Sequence, residues 1–147
     1  MQITAPTTES RQAAARPSPR RDENSAAFFD AAKRGVLMIQ HCNACGTNHL
    51  TDGIFCPNCL NIEQPLVWKE ASGKGKIDTF SVVHQSPLPG FAGDLPFPAA
   101  LVRLDEGPQL PARIVDTPPA EMKIGMAVKV KFVDNAGGEP TPVFARA

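Results

Sequence analysis

The four cysteines of the chain constrain its fold most, because they form two Cys-x-x-Cys pairs. Cys42 and Cys45 make the first pair, and Cys56 and Cys59 make the second after a gap of ten residues. Each pair aims two thiolates at one point, and two pairs complete the tetrahedron that Zn²⁺ accepts. Four thiolates leave no open coordination position, so we interpret the site as structural and not catalytic. In a ribbon this small the metal would supply on the order of 10 kcal/mol of folding free energy.

Other uses of four cysteines are a disulfide framework, a redox pair, buried thiols or a rubredoxin-like iron site. No secretory leader precedes the pattern, so we expect a reducing compartment. A redox motif needs one pair beside a βαβ unit, and this chain has two pairs without one. Spacing cannot choose between zinc and iron, because four thiolates suit both metals. We expect His41 and His49, which flank the cluster, to be surface residues and not ligands.

Composition limits the remaining function classes. The chain has 147 residues, enough for one ordinary domain or for two small domains with a tail. Fifteen basic and fifteen acidic residues give a formal net charge of zero, which argues against broad attraction to phosphate backbones or membranes. No apolar run approaches the roughly 20 residues of a spanning helix. We therefore expect a cytoplasmic protein with no membrane partner.

The N-terminal part divides into a tail and a short helix. Residues 1–22 have almost no large apolar side chains, which predicts a disordered tail. Residues 23–35 predict an amphipathic helix with Phe28 and Phe29 on its apolar stripe and Gly35 at its end. Such a short helix is not stable alone in water. Its Phe face must therefore lie on the ribbon, on the second domain or on a partner.

We assign residues 36–65 to the zinc ribbon, with β-type arms at 36–40 and 49–55 leading into the two Cys pairs. The domain junction falls at about 61–72. The sequence Ser72-Gly73-Lys74-Gly75 follows, and we interpret it as a connecting turn because a strand, not a helix, comes after it.

Residues 66–147 predict a small barrel of the OB type, which makes the protein mainly β. Short strands alternate there with turn sequences, and no long helix intervenes. Residues 86–98 carry four prolines and two glycines and predict a long, semi-rigid loop of the kind that often has a function. The five predicted strands are 76–84, 99–104, 112–115, 128–133 and 143–145.

Taken in order, these motifs resemble a known family. They are the helix ending Phe28-Phe29-Asp30-Ala31-Ala32-Lys33-Arg34-Gly35, the two Cys pairs, Trp68, Ser72 to Gly75, Ser81 to His84, Pro89-Gly90-Phe91, Leu101 to Gly107 and Ile124 to Val128. The resemblance covers about residues 24–146. It is to acyl-CoA-associated proteins that join a rubredoxin-like zinc ribbon to an OB-fold.

The resemblance implies a small accessory subunit. Members of that family typically lack an active site and accompany thiolase-type enzymes, including acetyltransferases and aldolases, or hydratases of acyl-CoA. We therefore expect a thiolase-like large subunit as partner, structural Zn²⁺ as cofactor, and no catalytic residue in this chain. The ribbon and helix would dock on the partner, and the loop at 86–98 would narrow the acyl entrance.

Four residues are candidates for the vicinity of acyl-CoA. Lys74 and Arg103 could meet its phosphates, and Phe91 could line a channel for its arm. His84 could act as a base or hydrogen-bond a ligand, although a lone strand histidine is more often structural. For the other three, burial or an ordinary solvated surface is the simpler reading.

Two other classes stay open. Zinc ribbons and OB-folds also bind nucleic acids, and fold alone cannot settle function. The balanced charge and the absence of Tyr argue against a single-stranded nucleic-acid module, so we expect no nucleic acid partner. A stand-alone acyl-CoA-binding module without an obligate partner is the second alternative.

Overall fold

The structure is a computed structural model that describes residues 16–50, 53–135 and 138–147. The described residues form one α-helix, a three-stranded ribbon sheet and a five-stranded barrel, which confirms the predicted mainly β architecture. Short 3₁₀ turns cover Pro89–Asp94 and Pro119–Glu121. The elements are α1 Ala26–Lys33, β1 Met38–His41, β2 Asn48–His49, β3 Val67–Glu70, β4 Lys74–Val83, β5 Phe97–Leu104, β6 Gln109–Val115, β7 Ala127–Val133 and β8 Thr141–Arg146.

Helix α1 starts and stops through local hydrogen bonds. The backbone N–H of Ser25 donates to Asp22 Oδ1 at 2.8 Å, which orders the turn before the helix. At the other end Gly35, with φ of 77°, donates its N–H to the Ala32 carbonyl at 2.9 Å. Phe29 is buried, and the Phe28 ring lies 6.3 Å from the ring of Trp68. The Phe face of the helix therefore lies on the ribbon sheet of the same chain.

The ribbon sheet has the strand order β2-β1-β3. Of the predicted arm at 49–55, only His49 lies in a strand among the described residues, since β2 ends there and residues 50 and 53–55 have no strand structure. Residues 51 and 52 lie outside the described part of the chain. There the Gly53 N–H donates to the side chain of Gln40 at 2.9 Å, which directs the chain back towards Cys56. The third strand, β3, comes from the predicted junction at 61–72 and pairs antiparallel with β1.

The barrel closes in the order β4-β5-β6-β8-β7, with β7 paired to β4. Its β6–β8 pair is parallel and the others are antiparallel. The five predicted strands match β4 to β8, with ends that differ by a few residues. His84 lies just beyond β4, and Phe97 and Pro98 open β5, so the predicted loop at 86–98 ends at 96.

Two glycines let the barrel close at the start of β4. A Cβ at Gly75 would lie 2.5 Å from the Arg103 carbonyl oxygen, and one at Gly73 would lie 2.5 Å from Val130 Cγ1. Gly73 also has φ of 70°, which side chains rarely adopt. The two glycines of Ser72–Gly75 are thus explained by the close approach of a Val130 side chain at Gly73 and of the Arg103 backbone at Gly75, and the sequence leads into a strand.

Ribbon and barrel share one hydrophobic core. Leu37 and Ile39 of the ribbon belong to the same buried cluster as Val102 and Phe144 of the barrel. Across the junction, the Ser72 N–H donates to Glu106 Oε1 at 2.7 Å, and Asn48 Nδ2 donates to the Glu106 carbonyl at 2.9 Å. Within the described residues, no helix has the length and apolar character needed to cross a membrane.

The predicted tail falls partly outside the described residues. Residues 1–15 belong to the part that the structure does not describe. Residues 16–22 have no helix or strand, yet several of their side chains contact the loops of the barrel and α1.

Candidate functional site

The four cysteine sulfurs converge on one point. The Sγ atoms of Cys42, Cys45, Cys56 and Cys59 all lie within 4.8 Å of one another. Cys42 and Cys59 are 3.8 Å apart, and Cys45 and Cys56 are 3.6 Å apart. A tetrahedral site with Zn–S bonds of about 2.3 Å has sulfurs about 3.8 Å apart. The sulfur arrangement therefore fits a four-thiolate metal ion.

The two Cys pairs sit in matching turns. The Cys42 carbonyl accepts from the Gly46 N–H at 2.8 Å, and the Cys56 carbonyl accepts from the Leu60 N–H at 2.8 Å. Gly46 has φ of 74° and Leu60 has φ of 56°. Leu60 thus holds a left-handed conformation that costs a side-chain-bearing residue about 1–2 kcal/mol. Its position one residue after the second pair, where the first pair has glycine, was the sequence signal for this strain.

The thiols of Cys45 and Cys59 differ in pKa because their hydrogen-bond partners differ. Hydrogen bonding to the Thr47 side chain and backbone, and to Asn58, lowers the pKa of Cys45 to about 5. At Cys59 a backbone hydrogen bond from Asn61 lowers the pKa, but partial desolvation and hydrogen bonds with the neighbouring cysteines outweigh it and raise the pKa to about 12. Four thiolates this close repel one another, so a cation is needed to hold all four ionised.

Neither flanking histidine belongs to the four-cysteine cluster, and His49 contacts one of its sulfurs. His49 Nε2 lies 3.2 Å from Cys56 Sγ, which places it in hydrogen-bond contact with one sulfur. His41 Nδ1 lies 2.7 Å from Asn48 Oδ1. The group of residues that could hold a metal consists of the four cysteines. The ring of His49 can orient a ligand sulfur, as residues behind metal ligands commonly do.

An exposed apolar surface lies next to the metal centre. We call it the knuckle patch, and it consists of Ile54, Phe55, Leu60 and Ile62, which are 79%, 44%, 68% and 80% exposed. Four large apolar side chains within nine residues are more than the scattered exposure that single residues show. This patch was not predicted, although the apolar residues around the second Cys pair were the sequence signal for it.

The structure separates the four candidate acyl-CoA residues into two pairs. Arg103 lies opposite Lys76, two residues from Lys74, at one end of the β4–β5 ladder. His84 follows β4 at the other end, and Phe91 lies in the loop that enters β5. The seven residue steps from Lys76 to Val83, at about 3.3 Å each, amount to roughly 23 Å along the strand that separates the two pairs. The four residues do not form one compact site.

The first pair belongs to a cationic surface. Lys74 lies directly opposite Lys129 across the β4–β7 ladder, and Lys76 lies opposite Arg103 across β4–β5. Like charges that face each other across strands repel. Arg103 is partly neutralised by Asp78, which it meets at 2.7 Å. We call Lys74, Lys76, Arg103 and Lys129 the basic strip.

The second pair borders the loop at 86–96. His84 is exposed, whereas Phe91 is half-buried with its ring 6.3 Å from that of Phe97. An apolar cavity of about 520 Å³ lies on β4, β5 and β6, and Phe97 is one of its lining residues. Its lining includes Phe80, Phe97, Leu101 and Arg113.

Fold and site together define a metal-binding ribbon joined to an OB barrel, and the comparisons with known proteins agree. Residues 29–63 match the family described as ChsH2, rubredoxin-like zinc ribbon domain, and residues 68–133 match ChsH2, C-terminal OB-fold domain. The chain belongs to the family that includes ChsH2 and the DUF35 domain-containing scaffold proteins. The four cysteines are accordingly those of a structural zinc ribbon.

Several relatives carry descriptive names. A probable enoyl-CoA hydratase alpha subunit of Thermomonospora curvata is 36% identical over 95% of this chain. A DUF35 domain-containing scaffold protein of Methanocaldococcus jannaschii is 35% identical over 68% of this chain and 70% of its own length. A solved structure described as Ltp2-ChsH2(DUF35) aldolase is 34% identical, with a TM-score of 0.75, and covers 87% of this chain and 98% of its own. The chain spans 43% of the Thermomonospora relative.

Proposed function

We propose that this chain is the non-catalytic small subunit of a complex with a larger thiolase-like protein that acts on an acyl-CoA. The observation that carries the proposal is the likeness to the chain of the Ltp2-ChsH2(DUF35) aldolase, almost the whole of which this chain covers. Relatives described as an enoyl-CoA hydratase alpha subunit and as scaffold proteins support a role beside another protein. Since the chain matches less than half of the hydratase relative, the activity of the complex is part of the proposal.

The placement of polar residues supports a non-catalytic role. The metal centre uses four thiolates, which leave no position for a substrate. Two of the three histidines, His41 and His49, are engaged at the ribbon. His84 is exposed beside the loop and lies at the far end of β4 from the basic strip. The large subunit would then supply the nucleophile and base.

Free thiols that must stay reduced to bind metal favour the cytoplasm.

The knuckle patch is the surface that we propose to meet the large subunit. Its apolar side chains would contribute about 25 cal/mol for each Å² that they bury against an apolar face of the partner. The structural metal centre keeps the turn that presents Leu60 and Ile62 rigid, which lowers the entropic cost of docking. The Phe28 and Phe29 side chains are less available, because Phe29 is buried and Phe28 packs on Trp68.

A complex assembled from purified proteins tests the subunit role. The chain is co-expressed with a thiolase-like protein of the same genome, and the mass of the product is measured by light scattering during gel filtration. We expect a stable hetero-oligomer, and a double variant Ile54→Ser, Ile62→Ser to weaken it at least tenfold. The control Glu63→Ser changes an exposed residue of the same segment and leaves assembly unchanged. Elution of both proteins as separate species with every thiolase-like candidate would contradict the proposal.

We further propose that an acyl-CoA runs along the β4–β5 ladder at the interface. Its phosphates would lie on the basic strip, near Lys74 and Arg103, and its acyl group would point to the loop that carries Phe91. His84 would hydrogen-bond the ligand at that end. The cations on the strip support this placement, since phosphates favour clustered positive charge.

Kinetics of the assembled complex test the acyl-CoA placement. Lys74→Ala and Arg103→Ala each remove one exposed charge, worth about 0.2–1 kcal/mol, so we expect KM for acyl-CoA to rise about 1.5- to 5-fold. The value of kcat should stay constant, and the effect should shrink in high salt. Arg34→Ala, a change at the end of α1, is the control. If all variants have the same KM at low salt, the phosphates of acyl-CoA do not bind to the basic strip.

A further inference from the structure

Residues 16–21 cross the barrel between two loops. We call this segment the strap. One of its ends contacts the loop at 86–96, which leads into β5, and the other contacts Glu139, which precedes β8. The strap therefore joins two parts of the barrel that the strand ladders do not connect directly.

The first end of the strap is an arginine clamp. Arg16 donates from Nε to the Gly90 carbonyl at 3.1 Å and from Nη2 to Asp94 Oδ2 at 2.5 Å. Its guanidinium also lies 5.2 Å from the centre of the Phe91 ring. Asp94 accepts a second ion pair from Arg113 of β6. The Asp94 carboxylate is thus shared by one arginine of the strap and one of the barrel wall.

The second end is fixed near β8 and α1. Glu139 donates its backbone N–H to Ser18 Oγ at 3.0 Å. A Cβ at Gly138 would overlap Ser18 Oγ and Cβ, so the strap lies directly against this backbone. Arg21 meets Asp30 of α1 through two hydrogen bonds of 2.7 and 3.0 Å and lies 3.7 Å from Glu139. The strap is therefore held at both ends.

An apolar cavity lies beneath the strap. Its volume is about 410 Å³, and Pro111, Val133, Pro142 and Val143 of the barrel and Phe91 of the loop at 86–96 line it. Pro17 and Pro19 of the strap line the opposite side. Proline fixes φ, so this short segment loses little backbone entropy when it is ordered across the cavity.

We propose that the strap holds the loop at 86–96 closed against the barrel and that its release opens the cavity to the acyl chain. Only the nature of the occupant rests on the proposed function. The coupling between the two ends of the strap belongs to the isolated chain. Residues 16–21 thereby act on the width of the acyl entrance without touching the metal centre.

Hydrogen exchange of the full-length, metal-loaded chain tests the coupling. We expect Arg16→Ala to speed amide exchange in residues 88–94 about tenfold, because the loop loses an ion pair, a hydrogen bond and a ring contact at once. Arg20→Ala removes the same charge from an exposed strap residue and is the matched control. Exchange in β5 and the metal content report whether each variant is folded.

The variant Gly138→Ala distinguishes a strap that couples its two ends from an ion pair that acts only on the nearby loop. This substitution pushes Ser18 away at the far end, and a strap transmits the change to residues 88–94 as faster exchange. Adding Ser18→Gly removes the overlapping atoms, so the double variant should match the exchange of Ser18→Gly alone. Unchanged loop exchange in Arg16→Ala, or a response to Arg16→Ala without one to Gly138→Ala, would overturn the proposal. These outcomes do not depend on whether a large subunit exists.

Discussion

Loss of the metal should destabilise the barrel as well as the ribbon, because the two share a core. Cys59→Ser removes one ligand and should release the ribbon, whose Leu37 and Ile39 are 1% and 0% exposed within the common cluster. Burying one such side chain stabilises by about 1.5–3 kcal/mol. Losing both from the cluster costs about 3–6 kcal/mol, which corresponds to a fall in Tm of about 10–20 °C for a chain of this size.

Two probes distinguish the ribbon from the barrel in this experiment. Trp68 is the single tryptophan and lies in β3 of the ribbon sheet, so its fluorescence reports the ribbon. Hydrogen exchange at Val102 of β5, which is fully buried, reports the barrel. Thermal unfolding is followed with both probes for the wild type, Cys59→Ser and the control Glu63→Ser. In Cys59→Ser we expect the unfolding temperature reported by Trp68 fluorescence to fall and amide exchange at Val102 to become faster. In Glu63→Ser we expect neither quantity to change.

Different responses of the two probes to Cys59→Ser would refute a shared core of ribbon and barrel. If Trp68 fluorescence in Cys59→Ser shows an unfolded ribbon while the barrel keeps its Tm and exchange rates, the ribbon and the barrel are independent domains. A variant with wild-type metal content and wild-type Tm would show that the four-sulfur arrangement is not a metal centre.

Three other changes test local features. Leu60→Gly should raise the stability of the metal-loaded chain by about 0.5–1 kcal/mol in urea unfolding, since glycine relieves the left-handed strain; a loss of stability would contradict this. Gly75→Ala should lower stability by about 1–3 kcal/mol, because its Cβ meets the Arg103 carbonyl, and an unchanged midpoint would show that the strands can separate freely. Burial alone would raise the pKa of Glu106, but hydrogen bonds from Ser72 outweigh it and the pKa is lowered from 4.5. The resulting stabilisation is present above about pH 4.5 and is lost as the pH falls through the lowered pKa. In Glu106→Gln the free energy of unfolding should therefore fall less steeply between pH 4.5 and lower pH than in the wild type. The same pH dependence in both proteins would refute this prediction.

The sequence was sufficient for features that depend on neighbouring residues. The spacing of Cys42, Cys45, Cys56 and Cys59 predicted four convergent sulfurs, because each turn is closed by its own backbone. Alternating apolar residues and turn sequences predicted the five barrel strands, since one face of each strand is buried. The helix was predicted from its apolar stripe of Phe28 and Phe29 and from its terminal Gly35, and the observed Ala26–Lys33 lies inside the predicted range 23–35.

Features that depend on distant partners were not predictable in the same way. Strand β3 has an exposed valine and lysine, and only its pairing with β1 makes it part of the ribbon sheet. In the sequence the strap is a polar, proline-containing segment with no sign of a fixed position. The residues that hold it, Asp94 and Glu139, lie more than 70 residues away along the chain, so local sequence could not predict these contacts. For Lys74 and Phe91, sequence could propose a shared ligand but not the length of the ladder that separates them.

Turnover of acyl-CoA by the purified chain, alone and with its large subunit, tests most directly whether this protein is a structural platform for the chemistry of a partner. We predict that the metal-loaded chain alone gives no turnover above background and that adding the large subunit produces it. Turnover by the chain alone that disappears in His84→Ala would contradict the account and make this protein the enzyme.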